Sequence, residues 1–219
     1  MHATAHAPSS LQPSERLQRL RAAPRRQGEA SFFFYDAHFR LDAVKVLPGE
    51  YFVHDEAILI TTTLGSCIAA CLWDRQLRLG GMNHFMLPHG ARDGTGAGHY
   101  GAFAMELLIN EMVKRGATRA NMEAKVFGGG AVMSAINTLN VGQRNTEFVL
   151  DYLRTERIPV VSKDVLDIHP RKVCFIPDSG KALVKRLASA STEPLLAQER
   201  AAAKAAEPVI RTGGSVDLF

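Results

Sequence analysis

Residues 67–73 most constrain the fold, because all seven positions are apolar and turn residues flank the run. A strand with one solvated face alternates apolar and polar side chains, whereas a short uninterrupted run is typical of a strand covered on both faces. The turn Asp74-Arg75-Gln76 follows, and residues 77–87 are predicted to return as the antiparallel partner in a hairpin. The hairpin therefore has to lie inside a layered fold.

Strands and helices alternate along the rest of the chain. Strands are predicted over residues 57–61, 121–127, 158–162 and 171–176, and amphipathic helices over residues 100–115 and 145–157. The Gly-rich residues 88–98 are expected to form a loop beside the hairpin. This order predicts an α/β (α+β) layered sandwich, a single domain that has a mixed sheet with flanking helices.

Composition divides the chain into three parts. Residues 1–30 are polar, interrupted by Pro and poor in large apolar side chains, so we expect a disordered basic leader. Residues 32–35 are all aromatic and costly to leave in water, so the folded domain is expected to span residues 31–188. Residues 189–219 are rich in Ala and have few groups to pack with, and we expect a C-terminal tail there.

Charge and cysteine content exclude several classes of protein. The formal net charge of +4 comes mostly from the leader, which holds five Arg and two Glu, so a nucleic-acid partner is not indicated for the domain. Three Cys without a signal peptide suggest free thiols and a cytoplasmic protein. No apolar run approaches the ~18–20 residues of a membrane-spanning helix, so membrane insertion is not expected.

A thiol-hydrolase site is predicted at the start of the hairpin. Cys67 follows the small Gly65-Ser66 step, which leaves room for a substrate carbonyl and can turn backbone N–H groups toward it. His84 lies 17 positions later, and its imidazole could take the thiol proton if the two strands pair. The alternative is that such a Cys is a small buried hydrophobe, an interpretation that fits Cys71 well.

Metal-binding and phosphate-binding interpretations of this region are weaker. Cys67 and Cys71 would lie about 13 Å apart on a strand that rises ~3.3 Å per residue, too far for two thiolates to share one zinc ion. Gly128-Gly129-Gly130 is not a dinucleotide-binding loop, because Met133 stands where that motif has its third Gly. We therefore predict no metal ligands in this chain.

Six segments form a combination that is more specific than any of them alone. They are Leu47-Pro48-Gly49-Glu50-Tyr51, Leu64-Gly65-Ser66-Cys67, Gly81-Met82-Asn83-His84-Phe85-Met86-Leu87-Pro88, Glu123-Ala124-Lys125-Val126-Phe127-Gly128-Gly129-Gly130, Arg144-Asn145 and Arg171-Lys172-Val173. In this combination the chain resembles the chemoreceptor glutamine deamidase family CheD, from about residue 34 to residue 187.

The resemblance implies roles for individual residues. Cys67 would be the nucleophile, His84 the general base and acid, and Thr61, six residues before the Cys, the third member of a triad. Backbone N–H groups around Gly65 and Ser66 would hold the oxyanion. The implied fold is a layered α/β sandwich related to bacterial deamidating toxins.

The resemblance also implies a reaction and partners. The enzyme would convert specific Gln side chains of methyl-accepting chemotaxis receptors to Glu through a thioester, and no cofactor is required. The same route would serve Glu methyl esters, and some relatives bind the phosphatase CheC. The alternative function is a non-catalytic adaptor that regulates a chemotaxis phosphatase or receptor. A thiol protease or transglutaminase is a weaker alternative.

Overall fold

The computed structural model describes residues 14–87, 97–131 and 136–188, together with Leu195, residues 197–199 and Ala201. The helices within these ranges are α1 (Glu15–Ala22), α2 (Ala97–Lys114) and α3 (Ile136–Thr155), with a short 3-10 helix at Arg119–Asn121. None of the described helices is long and apolar enough to cross a membrane. Most of the loop predicted over residues 88–98 lies outside the described residues.

The described part of the chain contains ten strands, which form two five-stranded sheets. In chain order they are β1 (Phe32–Asp36), β2 (Leu41–Lys45), β3 (Tyr51–His54), β4 (Leu59–Leu64), β5 (Ile68–Asp74), β6 (Leu79–Asn83), β7 (Met122–Gly128), β8 (Val160–Val165), β9 (Arg171–Ile176) and β10 (Lys181–Arg186). The first sheet has the order β1-β2-β4-β9-β10, and the second has the order β3-β6-β5-β7-β8. Each sheet is mixed, because β2–β4 and β7–β8 are parallel pairs among antiparallel ones.

Strand β5 is buried on both faces, as its apolar run predicts. Cys71 and Ala69 face the first sheet and share a core with Ile60 and Val173. On its other face, Ile68, Ala70 and Leu72 pack against a second core to which helices α2 and α3 contribute Met105, Leu108 and Val149. The predicted pairing of β5 with β6 is confirmed, and the predicted layered α/β fold is confirmed with it.

Residues 14–30 differ from the disordered leader that the sequence predicts. They include helix α1, where Ser14 accepts a hydrogen bond from the Leu17 N–H and caps the N-terminus. Leu17 is fully buried in the core between the sheets, and Arg16 forms an ion pair with Asp42 at 2.8 Å. The composition of the leader gave no sign of this, because Leu17 is the one buried residue of the helix, Leu20 is only partly buried against the same core, and their partners are distant in sequence.

We expect Leu17→Ala to lower the free energy of unfolding by about 2–5 kcal/mol, the usual cost of removing a buried Leu side chain. Arg19→Ala is the matched control in the same helix, because Arg19 is exposed and surface changes usually stay within about 0.5 kcal/mol. Urea denaturation of the full chain measures both values. Equal stability of the two variants would contradict the placement of α1 in the fold.

Candidate active site

Gly65, Ser66 and Cys67 form the loop where the chain crosses from the first sheet to the second, between β4 and β5. Strand β5 begins at Ile68, so Cys67 lies immediately before it. Ser66 and Cys67 are buried, and Cys67 has no exposed surface. The predicted nucleophile is therefore held at a sheet end, inside the protein.

Each of the three carbonyls of this loop accepts a hydrogen bond from the glycine segment after β7 or from helix α3. The Gly65 carbonyl accepts the Gly130 N–H at 2.7 Å, and the Cys67 carbonyl accepts the Gly129 N–H at 2.8 Å. Between them, the side-chain amide of Asn145 donates to the Ser66 carbonyl at 2.8 Å. Because N–H and C=O of a planar peptide point in opposite directions, the bonds to the Gly65 and Ser66 carbonyls turn the N–H groups of Ser66 and Cys67 the other way.

The glycines that hold the loop cannot readily be replaced. Gly128 and Gly129 have φ angles of 111° and 67°, in the left-handed region that favours glycine. A Cβ on Gly128 would also overlap the Cys67 carbonyl, and one on Gly129 would overlap the Thr146 hydroxyl. The segment is thus a close-packed support for the Cys67 loop rather than only a turn after β7.

The loop N–H groups converge on the carboxylate of Glu199. Its Oε1 accepts the N–H of Gly65 at 2.7 Å and that of Cys67 at 3.2 Å. Its Oε2 accepts the Ser66 N–H at 3.1 Å and the Ser66 hydroxyl at 2.9 Å. We call these four donors of Gly65, Ser66 and Cys67 the amide nest. A nest of this kind binds an anion, as the oxyanion assignment of Gly65 and Ser66 requires.

His84 lies on the same face of the second sheet as Cys67. Ile68 and Phe85 exchange two backbone hydrogen bonds of 2.9 Å, which extend the β5–β6 pairing beyond Asn83. In this antiparallel register His84 lies across from Ala69, two residues from Cys67, so the two side chains are diagonal neighbours. The hairpin thus brings Cys67 and His84 to one site between the sheets.

Hydrogen bonds of His84 define which ring nitrogen is free. Nδ1 lies 2.8 Å from the Thr62 hydroxyl and 3.3 Å from the Val46 carbonyl. The Thr62 hydroxyl donates to that same carbonyl at 2.7 Å, so its oxygen accepts the Nδ1 proton. Nε2 is buried and has no hydrogen-bond partner among the described residues. The nitrogen without a proton is the one available as a base.

Thr61, the predicted third member of the triad, does not contact His84. Its hydroxyl donates to the Val173 carbonyl at 2.9 Å and lies 3.5 Å from the Cys174 sulfur. Successive strand residues face opposite sides of a sheet, so Thr61 points away from the space between the sheets, whereas Thr62 points into it. The hydroxyl that contacts the imidazole is therefore that of Thr62 and not that of Thr61.

Burial keeps both candidate catalytic groups neutral. It raises the pKa of the Cys67 thiol well above its usual range, and the nearby Glu199 carboxylate raises that pKa further. Burial also lowers the pKa of His84 to about 4, an effect that the same carboxylate partly opposes. Thiol and imidazole are thus both uncharged at neutral pH while Glu199 occupies the nest.

Sequence reasoning missed two residues of the site. Asn145 links its parts, because its amide donates to the Ser66 carbonyl while its Oδ1 accepts the Leu87 N–H at 2.9 Å. Glu199 comes from the region that was expected to have little to pack with, yet its side chain is buried. Asn145, which is buried and polar, belongs to one of the six segments that carry the family resemblance, so the sequence held a signal for it. No local sequence feature singled out Glu199. No cluster of three potential metal ligands occurs among the described residues.

The fold and the site define a layered α/β protein with a buried Cys–His pair beside an anion-binding nest. A family model described as "CheD chemotactic sensory transduction" matches residues 86–186. The chain is 63% identical to "Probable chemoreceptor glutamine deamidase CheD 1" of Albidiferax ferrireducens, over 93% of this chain and 87% of that one. It is 54% identical to the protein of the same name from Dechloromonas aromatica, over 76% of this chain and 84% of that one. The chain therefore belongs to the CheD family.

The low pKa of His84 predicts a pH-dependent stability. Between ~6.5, the pKa of an unfolded His, and about 4, its pKa in the fold, the unfolded state binds a proton that the folded state does not. The free energy of unfolding should therefore fall as pH falls through this window, by up to roughly 3 kcal/mol from this residue. Urea denaturation at pH steps measures it, and His84→Asn should flatten the dependence. Parallel curves for both proteins would contradict a buried neutral imidazole.

Proposed function

We propose that this protein hydrolyses specific glutamine side chains of methyl-accepting chemotaxis receptors to glutamate, with Cys67 as the nucleophile. The observation that carries the proposal is the amide nest, which holds a carboxylate beside the Cys67 thiol. The relatives' name, chemoreceptor glutamine deamidase, supplies the substrate class. A receptor glutamine in the position of Glu199 would have its carbonyl carbon next to the sulfur.

The first half of the reaction forms a thioester and releases ammonia. His84 Nε2 takes the thiol proton, and the sulfur attacks the carboxamide carbon of the glutamine. The carbonyl oxygen becomes an oxyanion that the N–H groups of Gly65 and Cys67 stabilise. The imidazolium then gives its proton to the departing nitrogen, so the C–N bond breaks and ammonia leaves.

The second half restores the enzyme. His84 takes a proton from a water molecule that attacks the thioester carbon, and the C–S bond breaks as the proton returns to the sulfur. The product is a glutamate whose carboxylate lies in the nest. A receptor glutamate methyl ester would follow the same steps, with methanol leaving in place of ammonia.

Thr62 is proposed as a positioning residue. The bond between its hydroxyl and Nδ1 places the proton on Nδ1 and leaves Nε2 free to act as the base. Because the Thr62 hydroxyl is itself fixed by the Val46 carbonyl, the imidazole is held in one orientation. This arrangement supports for Thr62 the orienting role that a third group has in other nucleophile–base pairs.

Cys67→Ala should abolish deamidation of receptor cytoplasmic fragments and change the free energy of unfolding by only about 1 kcal/mol, because one sulfur atom is removed. Peptide mass spectrometry of the fragments measures the conversion of Gln to Glu. Cys71→Ala and Cys174→Ala are matched controls that should keep substantial activity, since Cys71 lies further along β5 and Cys174 packs in a separate core. Deamidation by Cys67→Ala at the wild-type rate would contradict Cys67 as the nucleophile.

Thr62→Val and Thr61→Val form a matched pair on one strand. Thr62→Val should lower kcat roughly fivefold, since the lost hydrogen bond is worth ~1 kcal/mol and each 1.4 kcal/mol is a factor of ten. Thr62→Ser should restore most of the activity, because it keeps the hydroxyl. Thr61→Val should affect stability but not kcat. The reverse outcome, with kcat sensitive only at position 61, would restore the original triad.

A further inference from the structure

Glu199 fills the reacting centre with a side chain of the protein itself. It lies 132 residues from Cys67 in sequence, yet its two carboxylate oxygens take all four donors of the amide nest. Glu199 and Leu195 of the same segment are both buried. The contact therefore comes from a segment packed on the domain.

The chemistry of the contact matches the end of the proposed reaction. Glutamate is what deamidation of glutamine leaves behind, and its carboxylate is the last group to occupy the nest before release. Oε1 receives the N–H groups of Gly65 and Cys67, the position of the developing oxyanion. Oε2 receives the Ser66 N–H and hydroxyl. Oε2 therefore lies where the nitrogen of a substrate carboxamide would lie before it departs.

The nest discriminates between a carboxylate and a carboxamide. A glutamine in the same pose would direct its NH₂ group at the Ser66 N–H, so that two donors would face each other. A carboxylate has acceptors at both positions and gains charge-assisted hydrogen bonds. The nest as a whole is thus complementary to the product more than to the substrate, and its Oε1 position also suits the oxyanion of the transition state.

We infer that Glu199 is a built-in product analogue, which competes with receptor glutamine for the nest. Residues 197–199 and Ala201 are helical, so the bound carboxylate is delivered from a helical segment. The inference rests on the proposed function for the identity of the competing substrate.

A competing side chain has a defined kinetic consequence. While Glu199 lies in the nest, it excludes the carboxamide, and its negative charge opposes formation of the Cys67 thiolate. Removing it should free the nest without touching a group that carries out the chemistry. The gain should therefore appear as a lower KM for receptor fragments with kcat unchanged.

The first experiment compares Glu199→Ala with Gln198→Ala, its neighbour in the same helical segment, in the full-length protein. Iodoacetamide labelling of Cys67, followed by peptide mass spectrometry, measures access to the thiol. We expect labelling to accelerate about tenfold or more in Glu199→Ala, since four hydrogen bonds to a charged group are lost, and to stay near wild type in Gln198→Ala. Labelling of Glu199→Ala at the wild-type rate would overturn the inference, as would a folded Glu199→Ala with reduced kcat.

The second experiment uses Glu199→Gln, which places a carboxamide where the carboxylate lies. The protein should then convert the introduced glutamine to glutamate, detected as the mass of the wild-type tail peptide. The same change in a Cys67→Ala background should leave the glutamine intact. Retention of the glutamine in a Glu199→Gln protein that deamidates receptor fragments would overturn the inference.

The two proposals can fail separately. Thiol labelling reports whether Glu199 occupies the nest and needs no receptor substrate, whereas conversion of receptor fragments reports the proposed function. If Glu199→Ala labels rapidly but neither it nor the wild-type protein deamidates any receptor fragment, the proposed substrate is wrong and occupancy of the nest by Glu199 stands. Fragment deamidation together with unchanged labelling refutes only the inference about Glu199.

Discussion

The orientation of two peptide planes, Gly65–Ser66 and Ser66–Cys67, is the constraint on which the site depends. Their carbonyls are bound by Gly130 and Asn145, so their N–H groups point together at the reacting centre. Without those bonds the loop could satisfy its carbonyls in water and turn its N–H groups elsewhere. An oxyanion hole works because its donors need no reorganisation when charge develops. Here the donors are fixed by contacts formed when the protein folds.

The contacts that fix the Cys67 loop extend outward to a buried arginine, Arg171. Gly128 accepts the Leu166 N–H at 2.8 Å, and Ala131 donates to the Asp167 carbonyl at 2.7 Å, so the glycine segment is tied to the turn after β8. Leu166 and Asp167 have positive φ angles, 64° and 69°, which are unfavourable for residues with side chains. Arg171 stabilises this turn with hydrogen bonds to the carbonyls of Leu166 and His169 and an ion pair with Asp164 at 2.8 Å. Its guanidinium is fully buried, so its removal would leave these carbonyls without a donor.

Local patterns were sufficient for the hairpin but not for the complete site. The apolar run of β5 and the short turn after it predicted that Cys67 and His84 meet, because hairpin partners are close in sequence. The choice between Thr61 and Thr62 depends on which face of β4 points into the space between the sheets, and that is set by pairing with β9, more than a hundred residues away. Glu199 and helix α1 were missed for a related reason. In each segment one buried side chain, Leu17 or Glu199, makes the decisive contact. The average composition of a segment does not reveal a single side chain of this kind.

The oxyanion role that we propose for the nest implies that carboxylates inhibit the enzyme. A nest of four donors in a buried site cannot distinguish the oxyanion of a tetrahedral intermediate from the carboxylate of a product by charge alone, so any Glu side chain that reaches Cys67 should bind there. A Glu in the protein's own chain acts at a high effective concentration and needs little intrinsic affinity to stay bound. Receptor substrates that make many contacts outside the nest can still displace Glu199. Occupancy by Glu199 would thus favour extended receptor surfaces over isolated glutamines, which is a way to gain specificity at a site whose chemistry recognises only one side-chain carboxamide.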